Sequence, residues 1–287
     1  MKNKYLALIL VLVLVLAVFS GCSDKEAKAP VEEDSEETAS SNLNDGKYLI
    51  KMPVSDHGNY PMATLEVKDG EIISFDYNEY LADTGEEKNE SNYSYKEGLE
   101  VLKNLNEQFM EKKDVDSIDY DAVSGATHTK ASFKEVVNAL LEKAEKGETY
   151  EPVFKDGEYE AKADEASHGW LAQIKIVVKE GTIVGVNYEE VAVEDMEGQK
   201  VVVDEENKPV MGDDGNPKTE PTQVKTGDIK SMENYAYLPS LDTAAEFEKQ
   251  IIDNNGVENL NLDAISGATH TRDNVVSLAT KALESAK

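Results

Sequence analysis

Residues 121–129 read DAVSGATHT, and residues 263–271 read DAISGATHT. The two stretches differ only by Val for Ile, and each precedes a segment whose apolar residues have helical spacing. A buried strand or helix keeps its apolar period rather than its letters. A nonapeptide kept almost letter for letter therefore indicates a duplicated unit that carries a site, and such a site can serve as a recognition sequence for another protein.

The duplication extends well beyond the nonapeptide. DGKYLIK at 45–51 corresponds to DGEYEAK at 156–162, at an offset of 111 positions. His57 corresponds to His168 at the same offset, and each of these histidines precedes a glycine. The chain is therefore expected to consist of two copies of one structural unit.

The second copy is longer than the first. NYSY at 92–95 corresponds to NYAY at 234–237, where the offset has grown to 142, so the second copy has 31 additional residues (142 − 111). These residues fall between about 190 and 233, in a segment rich in acidic residues, Gly and Pro. We expect this insertion to be a surface loop without a core of its own, although VVVDEENKPV within it is compatible with a hairpin.

Each copy contains the same predicted elements. Apolar residues alternate on both sides of Lys68-Asp69-Gly70, and an Asp-Gly turn between alternating runs is a strong hairpin signal. Hairpin strands followed by helices predict an α+β fold of two tandem homologous domains, each an antiparallel sheet with packed helices. Strands are predicted near 46–54, 60–68, 71–80, 157–163, 171–179 and 182–191, and helices near 94–112, 130–145, 242–254 and 272–286.

The N-terminal residues are typical of a targeting segment. Lys2 and Lys4 precede an apolar run that ends at Phe19, and the small pair before Cys22 resembles a bacterial lipobox. We therefore expect a lipoprotein signal peptide over residues 1–21 and lipidation of Cys22. The alternatives are an ordinary secretory signal with an incidental cysteine and an uncleaved membrane anchor. A further hypothesis is that the end of the cleaved signal, LVLAVFSG, is released as a peptide pheromone.

Cys22 is the only cysteine, so the sequence predicts neither a disulfide framework nor a thiolate metal site. Residues 22–44 are rich in Ser, Glu and Asp and have few large apolar side chains, which predicts a flexible acidic tether. The remaining chain divides into a first domain over 45–149 and a second domain over 150–287, which contains the insertion.

The formal net charge of −29 argues against electrostatic binding to nucleic acid or to anionic lipid headgroups. This negative charge is compatible with a folded protein that a covalent lipid anchors to a negatively charged membrane surface. It also suits cationic partners such as metal ions or a basic protein, and the alternative is that the acidic residues only confer solubility.

The nonapeptide has the chemistry of a phosphate site. Ser124, Gly125, Ala126 and Thr127 lie just before a predicted helix, whose first N–H groups and partial positive charge hold phosphate readily. Asp121 is less expected beside a phosphate, and it fits a role in binding a metal ion, orienting a turn or accepting a hydroxyl proton. The alternative is that Ser or Thr only caps the helix.

The pattern D-x-x-S-G-A-T before a helix resembles the flavinylation motif of the FMN-binding domain family. The resemblance covers about 45–147 and 156–287. It implies that an ApbE-type flavin transferase, using FAD and a metal ion, joins FMN through a phosphoester to Thr127 and to Thr269. The remaining motif residues implied to act at the two FMN sites, by shaping the phosphate turn or serving the transferase, are Ser124, Gly125, Ala126, Ser266, Gly267, Ala268, Asp121 and Asp263.

The paired histidines have two interpretations. His57 and His168 are candidates for contact with the isoalloxazine ring, where they would influence its protonation near neutral pH, or they are turn residues. His128 and His270 follow the threonines and are candidates for neutralising phosphate charge. The tyrosines of NYSY and NYAY are candidates for stacking on the ring or for the core.

Among members of the family, a lipoprotein with two such domains resembles electron-transfer lipoproteins on the outer face of the Gram-positive cell membrane. The resemblance implies that electrons come from a membrane NADH dehydrogenase and quinone chain and leave to extracellular acceptors such as ferric iron. The sequence contains no nucleophile–base triad, metal-ligand cluster or dinucleotide fingerprint, so we expect a carrier rather than an enzyme with its own substrate. The alternatives are a surface flavin reductase acting on an organic acceptor and a non-redox lipoprotein that binds a solute or metal.

Overall fold

The computed structural model describes residues 43–287. The expected signal peptide, the lipidated Cys22 and the tether as far as residue 42 lie outside the described residues. Between residues 43 and 287, no helix is both long and apolar enough to span a bilayer.

The first copy begins with three antiparallel strands in the order β1-β2-β3: β1 (Gly46–Lys51), β2 (Asn59–Lys68) and β3 (Glu71–Leu81). The turn between β2 and β3 has φ of 54° at Asp69 and 77° at Gly70. Positive φ at both central residues is the geometry that Asp-Gly favours in a two-residue hairpin. The predicted hairpin is therefore confirmed.

Two helices pack against one face of this sheet: α1 (Lys96–Lys112) and α2 (Thr127–Lys146). Their apolar faces have the spacing predicted from the sequence, and together with the sheet they enclose a core of aromatic and aliphatic side chains. The largest of these side chains are Tyr48, Leu65, Tyr77, Leu105, Phe109, Phe133 and Leu140.

The second copy repeats this arrangement. Its sheet has the order β4-β5-β6, formed by β4 (Gly157–Lys162), β5 (Trp170–Lys179) and β6 (Thr182–Ala192), and it packs against α3 (Leu238–Asp253) and α4 (Thr269–Glu284). Even the irregularity of the sheet recurs, between Glu66 and Val67 in one copy and between Val177 and Val178 in the other. The described chain is thus a mixed α+β fold with antiparallel sheets, as predicted.

In the VVVDEENKPV segment Val203 pairs with Pro209, as the compatible hairpin requires, and the insertion has more regular structure than the expected surface loop. It forms a hairpin of β7 (Met196–Val201) and β8 (Thr219–Val224), paired from Met196 opposite Val224 to Val201 opposite Thr219. Val201 and Val224 are almost fully buried. The hairpin buries these apolar side chains against the body of the second copy, so it needs no core of its own.

The two copies pack directly on each other, and the described residues 43–287 lie in one compact unit. The Tyr60 hydroxyl donates to the Val184 carbonyl at 2.6 Å, and the Lys51 ammonium donates to the Ile183 carbonyl at 2.9 Å. Gly185 lies so close to Gly85 that a Cβ at Gly185 would stand 2.4 Å from the Gly85 nitrogen. Side chains from both copies therefore share one core cluster.

Some predicted boundaries shift. Leu43 is buried, and the Asn44 amide donates to the Ala144 and Glu145 carbonyls, so the last two residues assigned to the tether belong to the folded body. Helices α2 and α4 begin three residues earlier than predicted, and the first residue of each is the threonine of SGAT.

Candidate functional site

Both nonapeptides occupy the same place in the fold, where a loop leads into the helix that packs on the sheet. Thr127 is the first residue of α2, and Thr269 is the first residue of α4. Gly125 and Gly267 have φ of 83° and 93°, a left-handed conformation that glycine adopts without the steric cost of a Cβ. The Ser-Gly-Ala segment thus turns the chain so that the threonine starts the helix.

The start of each motif helix has no side-chain cap. Neither α2 nor α4 has a side-chain capping hydrogen bond or an acidic residue in its first turn. Lys130 and Arg272 instead lie in the fourth position of these helices. Positive charge near a helix N-terminus is unfavourable unless an anion is present, because the helix dipole is positive there. In this structure the Lys130 ammonium donates to the Val123 carbonyl at 2.6 Å, and Arg272 forms a salt bridge with Asp273 at 2.8 Å. The missing cap disagrees with the simple capping interpretation and leaves the first N–H groups of each helix available to an anion such as phosphate.

The candidate FMN-bearing threonines are accessible. Thr127 and Thr269 are exposed, as are Ser124 and Ser266. Thr271, two residues after Thr269, is buried, and its hydroxyl is 2.8 Å from the Ser240 hydroxyl. Of the two threonines in the second motif, only Thr269 therefore presents its hydroxyl to a modifying enzyme.

Asp121 and Asp263 are also exposed, on the loop that precedes each helix. The backbone N–H of Asp121 donates to the Asp119 carboxylate at 3.0 Å, and that of Asp263 donates to the Asn261 side-chain oxygen at 3.3 Å. The same turn therefore holds the backbone of both residues. Neither aspartate carboxylate accepts a hydrogen bond from residues 43–287, so both face solvent.

A tyrosine approaches the motif glycine in each copy. The Tyr237 hydroxyl donates to the Gly267 carbonyl at 2.8 Å, and a Cβ at Gly267 would lie 2.7 Å from that hydroxyl. In the first copy, a Cβ at Gly125 would lie 2.3 Å from the Tyr95 hydroxyl. Tyr95 and Tyr237 directly precede α1 and α3, so the second tyrosine of each NYxY pair connects the two helices of its copy.

A buried ion pair lies beside the first motif. The Lys88 ammonium contacts the Glu79 carboxylate at 2.5 Å, and at most a tenth of either side chain is exposed. The Thr129 hydroxyl, from the last residue of the motif, donates to the same carboxylate at 2.7 Å. The ammonium also lies 4.3 Å from the centre of the Tyr93 ring, a distance typical of a cation–π contact.

The second copy has the same pair at the corresponding positions. Lys230 forms a buried salt bridge with Glu190, and its ammonium lies 4.3 Å from the centre of the Tyr235 ring and 5.1 Å from that of Trp170. The Tyr188 hydroxyl also donates to Glu190 at 3.1 Å. Burial is the main cause that raises the pKa of Tyr235, and the Glu190 carboxylate raises it further.

The sequence interpretation missed these ion pairs. Glu79 and Glu190 are 111 positions apart, and Lys88 and Lys230 are 142 positions apart, which are the two offsets of the repeat. Applying those offsets to every charged residue, rather than only to the conspicuous motifs, would have identified both pairs.

A cavity of about 520 Å³ opens next to the second motif. Gly267 and Ala268 of the motif line it, together with the aromatic side chains Trp170 and Tyr235 and the Lys230–Glu190 pair. Cofactor and ligand pockets have volumes of about 300–1,000 Å³ and combine aromatic walls with a few polar groups. The aromatic walls, the few polar groups and the size of this cavity therefore fit a planar heterocyclic ring.

The structure separates the candidate histidines. His168 lines the cavity beside the second motif, and Ser167 links it to His270: the Ser167 hydroxyl is 3.0 Å from His168 Nδ1 and 3.2 Å from His270 Nε2. His57 instead lines a different cavity, of about 640 Å³, together with Ile265 of the second motif. His128 is exposed. The two members of the first histidine pair thus have different surroundings.

The cavity at His57 lies between the two copies. Val54 and Ala82 of the first copy line it, and so does Glu248 from α3 of the second. The Glu248 carboxylate accepts a hydrogen bond from the Tyr188 backbone N–H. Burial raises the pKa of Glu248 to about 8 despite that hydrogen bond. Between residues 43 and 287, no group of three or more His, Cys, Asp or Glu side chains is arranged to hold a metal ion.

Comparison with known proteins gives a likeness to a solved structure. No family model matches the chain, and no curated protein does. Among solved structures, the chain is similar to the CPE2226 protein from Clostridium perfringens, at 30% sequence identity and a TM-score of 0.34, with 38% of this chain and 93% of that chain covered.

Proposed function

We propose that the protein is an electron carrier of two tandem FMN-binding domains, with one FMN joined covalently to Thr127 and one to Thr269. The observation that carries this proposal is the start of the motif helix. In both copies an exposed threonine begins a helix that has no side-chain cap and no acidic residue in its first turn. That combination suits a phosphate linked to the threonine itself.

The helix termini supply the phosphate-binding chemistry. The first N–H groups of a helix have no partner within it, and in α2 and α4 no side chain takes their place. A phosphate on the threonine oxygen would accept hydrogen bonds from these groups and would be stabilised by the helix dipole. Lys130 and Arg272 add positive charge one turn further along.

The surroundings of the second motif also fit the rest of the cofactor. The cavity has aromatic walls for a planar ring and a buried ammonium, that of Lys230, for a polar ring edge. When bound, FMN supplies the capacity to accept and release electrons, while the protein orients the ring and controls its surroundings. A covalent link keeps the cofactor in place where free FMN is scarce, because a site at low ligand concentration otherwise empties.

The proposal for the cellular role rests on the resemblance described above. A lipid on Cys22 would hold the protein on the outer face of the cell membrane of a Gram-positive bacterium. Electrons would come from a membrane NADH dehydrogenase and quinone chain and would leave to extracellular acceptors such as ferric iron. The attaching enzyme would be an ApbE-type transferase: the Thr oxygen bonds to the FMN phosphorus of FAD, AMP leaves, and the hydroxyl proton passes to a base.

The experiment is intact-mass and peptide mass spectrometry of protein produced together with an ApbE-type transferase. The wild-type protein is expected to gain the mass of two FMN groups. Thr127→Ala and Thr269→Ala are expected to gain one each, and the double variant none. Wild-type protein with no added mass in the presence of an active transferase would refute the proposal and would favour the non-redox binding lipoprotein.

The neighbouring threonines provide matched controls. Thr129→Ala and Thr271→Ala each remove a hydroxyl two residues from the proposed attachment point. Because Thr271 is buried and Thr129 donates to Glu79, neither hydroxyl is presented for modification. Both control variants are therefore expected to gain two FMN groups. Suppose instead that a control variant loses one FMN while the corresponding variant, Thr127→Ala or Thr269→Ala, keeps both. The attachment point would then be Thr129 or Thr271.

A further inference from the structure

The insertion hairpin is fastened to the loop that carries Tyr235. The Gln199 backbone N–H donates to the Asn234 carbonyl at 3.2 Å, and that of Val201 donates to the Met232 carbonyl at 2.7 Å. A Cβ at Gly198 would lie 2.6 Å from the Asn234 carbonyl oxygen, so the glycine permits this close approach. These contacts fix the base of the hairpin at the edge of the cavity beside the second motif.

The same hairpin covers the indole of Trp170. Trp170 is only 6% exposed, and it forms a separate apolar cluster with Ala192 and Val224, against which Met196 packs. Met196, Gln199 and Val224 all line the cavity. The inserted residues therefore form one wall of the cavity, and the motif and the Lys230–Glu190 pair form others.

The first copy has no counterpart to this wall. Asn59 stands where the second copy has Trp170, and the segment that connects β3 to NYSY is 31 residues shorter than the corresponding segment before NYAY (142 − 111). The Lys88–Glu79 pair and the Tyr93 contact are nevertheless retained. The two copies thus share the ion pair and differ in the enclosure of the space beside it.

We propose that hairpin β7–β8 gives the second site an extra wall, so that it encloses a planar, flavin-like ring more fully than the first site does. This inference rests on the proposed function and makes the two cofactors unequal. Stacking surface comes from Trp170 and Tyr235, and the Lys230 ammonium meets the polar edge of the ring. A protein partner would then contact the flavin ring directly at the first site rather than at the second.

Trp170 is the only tryptophan, so its fluorescence reports on the second pocket alone. The experiment titrates riboflavin into full-length protein produced without a transferase and follows quenching of Trp170 emission. Saturable quenching is expected for the wild type. A wall deletion, in which two glycines replace residues 197–223 between the paired Met196 and Val224, is expected to weaken riboflavin binding about tenfold, because apolar contact area is lost.

A shorter deletion is the matched control. Replacing residues 203–217 by Asn-Gly removes the tip of the hairpin but keeps β7 and β8, and it is expected to bind riboflavin like the wild type. If the wall deletion does not fold, Met196→Ala combined with Gln199→Ala replaces it, with weaker binding again expected. Absence of saturable quenching in the wild type, or unchanged affinity without the wall, would overturn the inference.

A second measurement compares the two sites in protein that carries FMN. Thr127→Ala retains only the second flavin, and Thr269→Ala retains only the first. Visible circular dichroism of the flavin is expected to be stronger in Thr127→Ala, since an enclosed ring has one fixed orientation. Equal signals would contradict the unequal enclosure. If no FMN is attached in either variant, the covalent proposal fails, and riboflavin binding still decides whether the pocket accepts the ring.

Discussion

At the scale of single residues, the repeated Lys–Glu pairs are the least expected feature of the molecule. Removing two charges from water costs several kcal/mol per ion, and a buried pair offsets that cost only when its geometry and hydrogen bonds are good. Glu79 accepts from both Lys88 and Thr129, and Glu190 accepts from both Lys230 and Tyr188. An apolar pair would fill the same space without this cost, so retention of the charge in both copies suits a role for the ammonium at the site.

Breaking the pair has a defined energetic consequence. Lys230→Met leaves the Glu190 carboxylate buried without its cation, and we expect a loss of about 3–5 kcal/mol in the free energy of unfolding. Adding Glu190→Gln removes the unpaired charge and is expected to restore a large part of that loss. Urea unfolding of the cofactor-free proteins measures both values. If Lys230→Met were as stable as the wild type, the Lys230–Glu190 salt bridge would contribute nothing to stability.

At the scale of elements, the strands were predictable and the starts of the motif helices were not. Alternating apolar residues and the Asp69-Gly70 turn are local signals, and they placed β2 and β3 within one residue. Helices α2 and α4 begin at Thr127 and Thr269 without a capping side chain, so the usual start signal is missing. The Lys–Glu pairs were not predicted because Lys88 and Lys230 lie in loops, where no periodic pattern marks a buried side chain.

The longer pairing of β7 with β8 was not predicted, for a related reason. Its two strands are separated by a long turn region, and their register brings Val201 opposite Thr219. The base of the hairpin is held by the Tyr235 loop and by Trp170, which lie outside the insertion in the sequence. Long-range contacts of this kind leave no periodic signal in a polar segment, so composition alone favoured a loop.

The uncapped helix terminus leads to a prediction with opposite effects on stability and modification. His128 is exposed in the first turn of α2, and Glu at this position would interact favourably with the helix dipole. His128→Glu is therefore expected to stabilise the cofactor-free protein by about 0.3–1 kcal/mol. It is also expected to reduce FMN attachment at Thr127, because the carboxylate repels phosphate.

Thermal unfolding and peptide mass spectrometry measure the two effects of His128→Glu separately. The neutral variant His128→Gln is the control and is expected to change neither quantity appreciably. If His128→Glu were modified as fully as the wild type, the helix terminus would not be the phosphate site.

At the scale of the whole molecule, the two copies behave as one body. The Tyr60 and Lys51 contacts and the close approach of Gly85 to Gly185 join them through buried surface. The internal repeat predicted two similar units. It gave no sign of how they pack on each other, because nothing in a repeat marks which side chains make contacts between the copies. A rigid pair of sites follows from this packing, since the two motif helices belong to a single compact unit.

Glu248, in the cavity between the copies, is expected to make the free energy of unfolding depend on pH. Its folded-state pKa is raised by burial to about 8, against an ordinary value of 4.5. Between these pH values the native protein retains a proton that the unfolded chain releases, so stability falls as pH rises from 4.5 to about 8. Glu248→Gln keeps an acceptor for the Tyr188 N–H but has no charge to bury. It is expected to match the wild type near pH 4.5 and to exceed its stability by a few kcal/mol near pH 8.

Urea unfolding of wild type and Glu248→Gln across this range tests the expectation, because other groups titrate alike in both proteins. Desolvation lowers the pKa of the interface residue Lys51 to about 8, so Lys51 changes stability only above that value, where stability rises because the native protein has released a proton that the unfolded chain still binds. Parallel stability curves for the two proteins between pH 4.5 and 8 would mean that Glu248 is ionised in the native state and that the cavity admits enough water to solvate it. A stability difference that grows with pH would instead show that Glu248 stays protonated in the native state, because the space around its carboxyl holds too little water to solvate the charge.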